Sequence, residues 1–165
     1  YLNLPSQGCL TSYLSDDSYT LEDIIVTSSI KNLDILPAGV IPPNPSELLQ
    51  SERLDVLFTE LRKRYDCVVI DSAPVALVSD TFLLNRVADM TIYVTRANYT
   101  TFDLIDFLNQ THEQQRLPKM VAVLNGVDAK KIGYGYGYGY GHQTTKKKWW
   151  QLLKKCWTVI VTGVN

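Results

Sequence analysis

The stretch that most constrains this chain is Cys67-Val-Val-Ile-Asp71. Four apolar residues in succession, with no polar alternation, suit a strand covered on both faces, as in a parallel sheet flanked by helices. The residues around it keep the same rhythm. Ser46 to Arg64 predicts one helix, opened by Ser46 in a Ser-Glu-Leu-Leu start, with Leu54, Leu57, Phe58 and Leu61 on its buried face. Arg62, Lys63 and Arg64 close that helix where the macrodipole favours positive charge. Asp80 to Val87 then predicts a helix, Met90 to Thr95 a strand, Thr101 to Gln114 a helix and Met120 to Leu124 a strand. Strands alternating with helices mean an α/β fold, a doubly wound and mostly parallel sheet with flanking helices.

The first 45 residues are richer in turns. Gly8 to Leu14 and Thr20 to Ile25 each predict a short helix, the second with Thr20 as N-cap, and Leu33 to Leu36 predicts a strand. Pro42-Pro-Asn-Pro45 then breaks the chain before the long helix.

Bulk properties set the outer limits. A chain of 165 residues is one domain's worth, and 45% hydrophobic with 20% charged residues is an ordinary globular composition. The net charge of -1 hides a division: residues 1–129 carry 9 Lys/Arg against 17 Asp/Glu, whereas residues 130–165 carry 7 Lys and no acid. An acidic body with a basic tail points to an anionic partner for the tail: a membrane surface, a nucleic acid or the body of a neighbouring copy. Cys9, Cys67 and Cys156 are scattered, which indicates neither a zinc site nor a disulfide framework and fits a reducing compartment. No stretch approaches the roughly 18–20 apolar residues that cross a bilayer. Tyr1 opens a segment that reads as the interior of something longer.

The expected organisation has three parts: residues 1–129 as the folded body, 130–145 as a tyrosine/glycine cluster, and 146–165 as a basic aromatic tail. In the cluster, Tyr134, Tyr136, Tyr138 and Tyr140 alternate with glycine. Glycine at every second position disfavours helix and weakens strand, so the phenols are presented rather than buried. The segment is therefore either a low-complexity linker or a set of tyrosines offered to a modifying enzyme. In the tail, a helix over 146–157 would put Trp149, Leu152, Leu153 and Cys156 on one face with Lys148, Gln151 and Lys155 opposite. That is the composition of an interfacial helix, and equally of a helix docking on the body or of a non-native extension.

In open parallel sheets ligands bind at the carboxyl ends of the strands. The residues there are Asp71-Ser-Ala-Pro74, Thr95-Arg-Ala97 and Asn125-Gly126. A carboxylate ending a buried strand can meet the water shell of a nucleotide's Mg²⁺, or it can cap the next helix. Asn125 can hydrogen-bond a purine edge or make a turn.

Together these residues resemble one family. Tyr65-Asp-Cys-Val-Val-Ile-Asp-Ser-Ala-Pro-Val75, with Ser79-Asp80, Ala88-Asp89, Val94-Thr-Arg96 and Val123-Leu-Asn-Gly-Val127, is similar to the later part of the catalytic domain of bacterial tyrosine autokinases. These are P-loop kinases of capsule and exopolysaccharide export. Gly39-Val-Ile-Pro-Pro-Asn-Pro-Ser-Glu-Leu-Leu49 is similar to the segment before that family's Walker B strand. The resemblance spans about residues 1–141. It implies that Asp71 is the Walker B carboxylate holding Mg²⁺ through water, and that Asn125 borders the nucleotide base. It further implies that Tyr134, Tyr136, Tyr138 and Tyr140 are phospho-acceptors, phosphorylated by a neighbouring subunit in a ring. ATP and Mg²⁺ are the implied cofactors of the complete enzyme. The implied partners are other kinase subunits and a membrane protein of polysaccharide export, with an anionic membrane surface for residues 146–157 and no nucleic acid. The implied location is the cytoplasm, at the inner face of the membrane.

The chain also departs from the family. A P-loop needs Gly-x-x-x-x-Gly-Lys-Ser/Thr to cradle phosphates, and this chain contains no Gly-Lys pair. The family's apolar strand ending in Asp-x-Asp is absent too, so the resemblance implies a P-loop fold without its N-terminal portion and a chain that does not bind ATP alone. Two other readings use the same residues. One is a partitioning or division-site ATPase of the deviant-Walker group with a membrane-binding tail, and the other is a non-catalytic regulatory module.

Overall fold

The computed structural model describes residues 8–128 and the backbone strand 156–160. These fall in two compact units, one running to Val87 and including the strand at 156–160, the other starting at Ala88.

In the first unit, helix α1 (Leu10–Ser15) and helix α2 (Leu21–Ile24) precede strands β1 (Val26–Thr27) and β2 (Leu33–Pro37). Helices α3 (Pro45–Gln50) and α4 (Glu52–Arg64), strand β3 (Cys67–Asp71) and a 3₁₀ helix, η1 (Ser79–Arg86), follow, and β6 (Cys156–Ile160) returns to the same unit. The sheet order is β1-β2-β6-β3, with β1 antiparallel to β2 and β6 parallel to both its neighbours. Helix α2 starts as expected from Thr20, whose backbone N–H donates to the Asp23 carboxylate at 2.8 Å and whose hydroxyl donates to it at 2.6 Å. Helix α1 is capped by Cys9 Sγ, which accepts from the Ser12 N–H at 3.4 Å.

The core gathers Leu10, Leu14, Ile24, Leu36, Leu54, Leu57, Phe58 and Leu61 between these helices and one face of the sheet. All four inward residues expected on α4 are buried there. Val68 and Ile70 pack against this core, whereas Val69 between them is 43% exposed. The expectation that β3 is buried on both faces is thus corrected: it is covered on one face, as alternation dictates for a sheet with a single helical layer.

The single helix expected over Ser46–Arg64 is two. Ser51 takes an extended conformation (ψ 147°) between α3 and α4. The exposed carbonyls at this break are held from a distance: Arg86 donates to the carbonyls of Leu49, Gln50 and Ser51 at 3.0, 3.1 and 2.9 Å. Helix α3 begins at Asn44 with Pro45 in its first turn. Ser46, expected as the cap, instead donates its hydroxyl to Asp80 Oδ1 at 2.7 Å, tying α3 to η1.

In the tail, Cys156 and Trp157 open strand β6, which corrects the helix expected to extend through them. Thr158, Val159 and Ile160 are β-branched, and such residues favour a pleated strand over a helix. The remainder of 146–165 lies outside the described residues.

In the second unit, β4 (Ile92–Arg96) pairs in parallel with β5 (Val121–Asn125), and α5 (Phe102–Glu113) connects them. Helix α5 begins at Thr101 as N-cap and buries Leu108 and Thr111. Thr95 is buried and its hydroxyl donates to the Val123 carbonyl at 3.2 Å, locking the two strands at mid-register. The paired residues Ile92 and Val121, and Val94 and Val123, are all more than 40% exposed, so this sheet also has one open face.

Candidate functional site

The candidate site of the first unit is the carboxyl edge of its parallel strands. The register brings Pro37 of β2, Ile160 of β6 and Asp71 of β3 level with one another. Asp71 is exposed there and its carboxylate has no hydrogen-bond partner among the described residues. It caps no helix: η1 starts eight residues later, and its N-cap is Val78. The chain after Asp71 turns away through Ser72, Ala73 and Pro74, fixed by the Thr81 hydroxyl donating to the Ala73 carbonyl at 2.9 Å and by the Leu77 N–H donating to that of Pro74 at 2.9 Å.

Beside this edge lies a cavity of about 340 Å³, apolar at Leu36, Phe58 and Ile70 and edged by Gly39, Ser72 and Asp80. Gly39 has φ +90° and packs against Cys9, so a Cβ at this position would overlap the Cys9 sulfur. Thr11 holds the same turn, its N–H and hydroxyl donating to the Ala38 carbonyl at 3.0 and 2.9 Å. Helix α1 and the loop after β2 are therefore one fixed wall of the edge.

Among the described residues no three His, Cys, Asp or Glu side chains gather into a metal cage. A lone, unengaged carboxylate at a strand end suits a hydrated Mg²⁺, which keeps its waters and takes one or two carboxylates together with substrate phosphates.

Asn125 ends β5 in the second unit, level with Arg96 of β4. Its side-chain oxygen accepts from the Gly126 N–H at 2.8 Å, and its carbonyl accepts from the Ala97 N–H at 2.9 Å. Gly126 sits at φ +69°, so the Asn-Gly pair makes a turn. The Asn125 amide NH₂ takes no part in these bonds. Arg96 lies with its guanidinium carbon 5.5 Å from the centre of the Tyr99 ring. Asp71 and Asn125 belong to different units, and each stands at the strand end where it was expected. Tyr134, Tyr136, Tyr138 and Tyr140 lie outside the described residues. Sequence reasoning did not foresee the Ser46–Asp80 hydrogen bond or the hold of Arg86 on the α3–α4 break, long-range contacts that no local pattern announces.

No family model matches the chain. Individual proteins do. The tyrosine-protein kinase CpsD of Streptococcus agalactiae is 30% identical over 139 residues, which cover 84% of this chain and 60% of CpsD. The tyrosine-protein kinase wzc of Salmonella typhimurium is 35% identical over 107 residues, 65% of this chain and 15% of that protein. The kinase domain of the Escherichia coli tyrosine kinase ETK matches in structure with a TM-score of 0.66 at 32% identity, over 81% of this chain and 52% of that one. The chain is homologous to part of the bacterial tyrosine-kinase domain. The VpsO kinase domain gives the same result, with a TM-score of 0.65 at 35% identity over 74% of this chain and 60% of its own. The fold is accordingly that of these P-loop kinases, an α/β architecture. The chain spans 60% or less of the length of each of these relatives. Among the described residues no helix is long and apolar enough to cross a membrane.

Proposed function

We propose that this chain is part of a bacterial protein-tyrosine autokinase that regulates polysaccharide polymerisation and export. In this reading Asp71 is the Walker B carboxylate, holding Mg²⁺ through water. Tyr134, Tyr136, Tyr138 and Tyr140 are the phospho-acceptors, and Asn125 borders the nucleotide base with its free amide NH₂. The observation that carries the reading is the exposed, unengaged carboxylate of Asp71 at the end of β3, in a chain homologous to tyrosine kinases. ATP and Mg²⁺ are the cofactors of the complete enzyme. The partners are other kinase subunits, which phosphorylate the tyrosines in trans, and a polysaccharide export protein at the inner face of the membrane.

The residues present fit the cation and not the nucleotide. Backbone amides and a lysine cradle the phosphates in P-loop enzymes and supply much of the stabilisation of phosphoryl transfer. With no Gly-Lys pair in its 165 residues, this chain has no such cradle of its own. It is read as a substrate of the kinase reaction, with no independent ATP site. Isothermal titration with ATP·Mg²⁺ is expected to give no saturable heat, and low-micromolar binding would contradict that.

A further inference from the structure

A tyrosine can take a phosphate only where its phenol stands clear enough to enter a kinase cleft. Five tyrosines lie among the described residues, and the fold treats them differently. Tyr13 is buried in the core under Arg53, and Tyr19 packs against that core. Tyr65 donates its hydroxyl to the Asp34 carboxylate at 2.8 Å, and Tyr93 is half-buried on β4. Tyr99 alone among them is exposed, at 74%. It sits on a short loop between β4 and α5 that is closed on itself. The Arg96 carbonyl accepts from the N–H groups of Tyr99 and Thr100 at 3.2 and 2.9 Å, and the Arg96 N–H donates to the Thr100 hydroxyl at 2.8 Å. Asn98, at φ +60°, supplies the left-handed residue of the turn. The side chain beside the phenol is a cation. The Arg96 guanidinium carbon lies 5.5 Å from the centre of the Tyr99 ring, and among the described residues it pairs with no carboxylate. Its stem crosses Gly126, where a Cβ would meet Arg96 Cγ at 3.5 Å and Nε at 3.8 Å.

We propose that Tyr99 is a further phospho-acceptor of this chain and that Arg96 is the partner of the phosphate it receives, an inference that rests on the reading of the chain as a tyrosine-kinase substrate. The phenol oxygen of Tyr99 forms the new bond to the γ-phosphorus of an ATP held by a complete kinase. The bond from that phosphorus to the oxygen bridging to the β-phosphate breaks, ADP leaves, and the phenolic proton passes to a base of that kinase. A phosphate adds a charge of about -1.5 to -2 near neutral pH and three acceptor oxygens. A guanidinium fork without a carboxylate partner takes such a group in two parallel hydrogen bonds. Arg96 exchanges the ring face for the phosphate over a short distance, because both side chains leave the same loop. The modified residue stands beside the strand-end edge where Arg96 and Asn125 are level in the register. Phosphorylation converts a positive corner of that edge into a neutral or negative one, which disfavours an anionic ligand there.

Incubation of the full chain with ATP·Mg²⁺ and a complete tyrosine kinase of this family, followed by peptide mapping by mass spectrometry, tests the acceptor. Phosphate is expected on Tyr99 as well as on the repeat, and not on Tyr13 or Tyr65. A phosphorylated repeat with Tyr99 unmodified would overturn the inference and leave the reading of the repeat standing. Phosphate on Tyr99 with an unmodified repeat would do the reverse, and a chain modified nowhere would overturn both. Phosphorus NMR tests the partner, on a form carrying Tyr134→Phe, Tyr136→Phe, Tyr138→Phe and Tyr140→Phe so that Tyr99 supplies the signal. A guanidinium bonded to the dianion lowers the second phosphate pKa, which is about 6 when unpaired. A value lower by about half a unit is expected, returning to the unpaired value when Arg96→Gln is added. Identical titrations of the two forms would overturn the assignment of Arg96.

Discussion

The guanidinium carbon of Arg53 lies 4.2 Å from the centre of the Tyr13 ring, and the same side chain donates through Nε to the Tyr13 carbonyl. It also donates to the carbonyls of Asp16 at 3.1 Å and Tyr19 at 2.8 Å, and pairs with the Asp17 carboxylate at 2.6 Å. One residue of α4 thus fastens the whole segment between α1 and α2. Planarity is what allows this, because a flat fork can bond several carbonyls while stacking on a ring. Arg53→Lys keeps the charge and loses the fork. We expect it to cost the first unit about 2 kcal/mol, read as a lower urea midpoint with an unchanged slope.

The Asp23 carboxylate is held below its ordinary range by the hydroxyl and the backbone N–H of Thr20. A depressed carboxylate stabilises the fold fully above the unfolded pKa, and that contribution disappears as pH falls through the folded value. The first unit is therefore expected to weaken in acid. Asp23→Asn should flatten that acid limb and leave a smaller difference between neutral and acidic urea midpoints. An identical pH profile for both forms would show that the capping box is not the group involved.

Asp71 stands at the edge without bonding to any described side chain. A residue kept for ligand contact, rather than for capping or packing, can be replaced at little structural cost. Asp71→Ala is expected to change the stability of the first unit by less than about 0.5 kcal/mol. A loss several times larger in thermal or urea unfolding would assign Asp71 a structural role instead.

Much of the architecture was legible because it is written in local periodicity. The inward face of α4, from Leu54 to Leu61, and the limits of α5 follow from spacing alone, and β3, β4 and β5 follow from short β-branched runs. What escaped depends on partners remote in sequence. Arg86 holds the carbonyls around Ser51, so an apparently continuous helix is cut there. Ser46 has the look of a cap until Asp80 is known to be beside it. Residues 80–87 have helical composition but form the tighter 3₁₀ turn, with Thr81 drawn to the Ala73 carbonyl. β6 was the least legible, because its place depends on a gap between β2 and β3 that only the assembled sheet reveals. Of the site, the strand-end positions of Asp71 and Asn125 could be read in advance, and the turn at Asn125-Gly126 was one of the two readings the sequence left open.

We propose that the tyrosines at 134, 136, 138 and 140 are the substrate end of a kinase reaction that this chain does not perform alone. The most direct test is incubation with ATP·Mg²⁺, with and without a complete tyrosine kinase of this family, followed by phosphotyrosine mapping by mass spectrometry. Phosphate on Tyr134, Tyr136, Tyr138 and Tyr140 only when the complete kinase is present is the predicted result. Phosphotyrosine formed by this chain alone, or a repeat left unmodified by the complete kinase, would contradict the account.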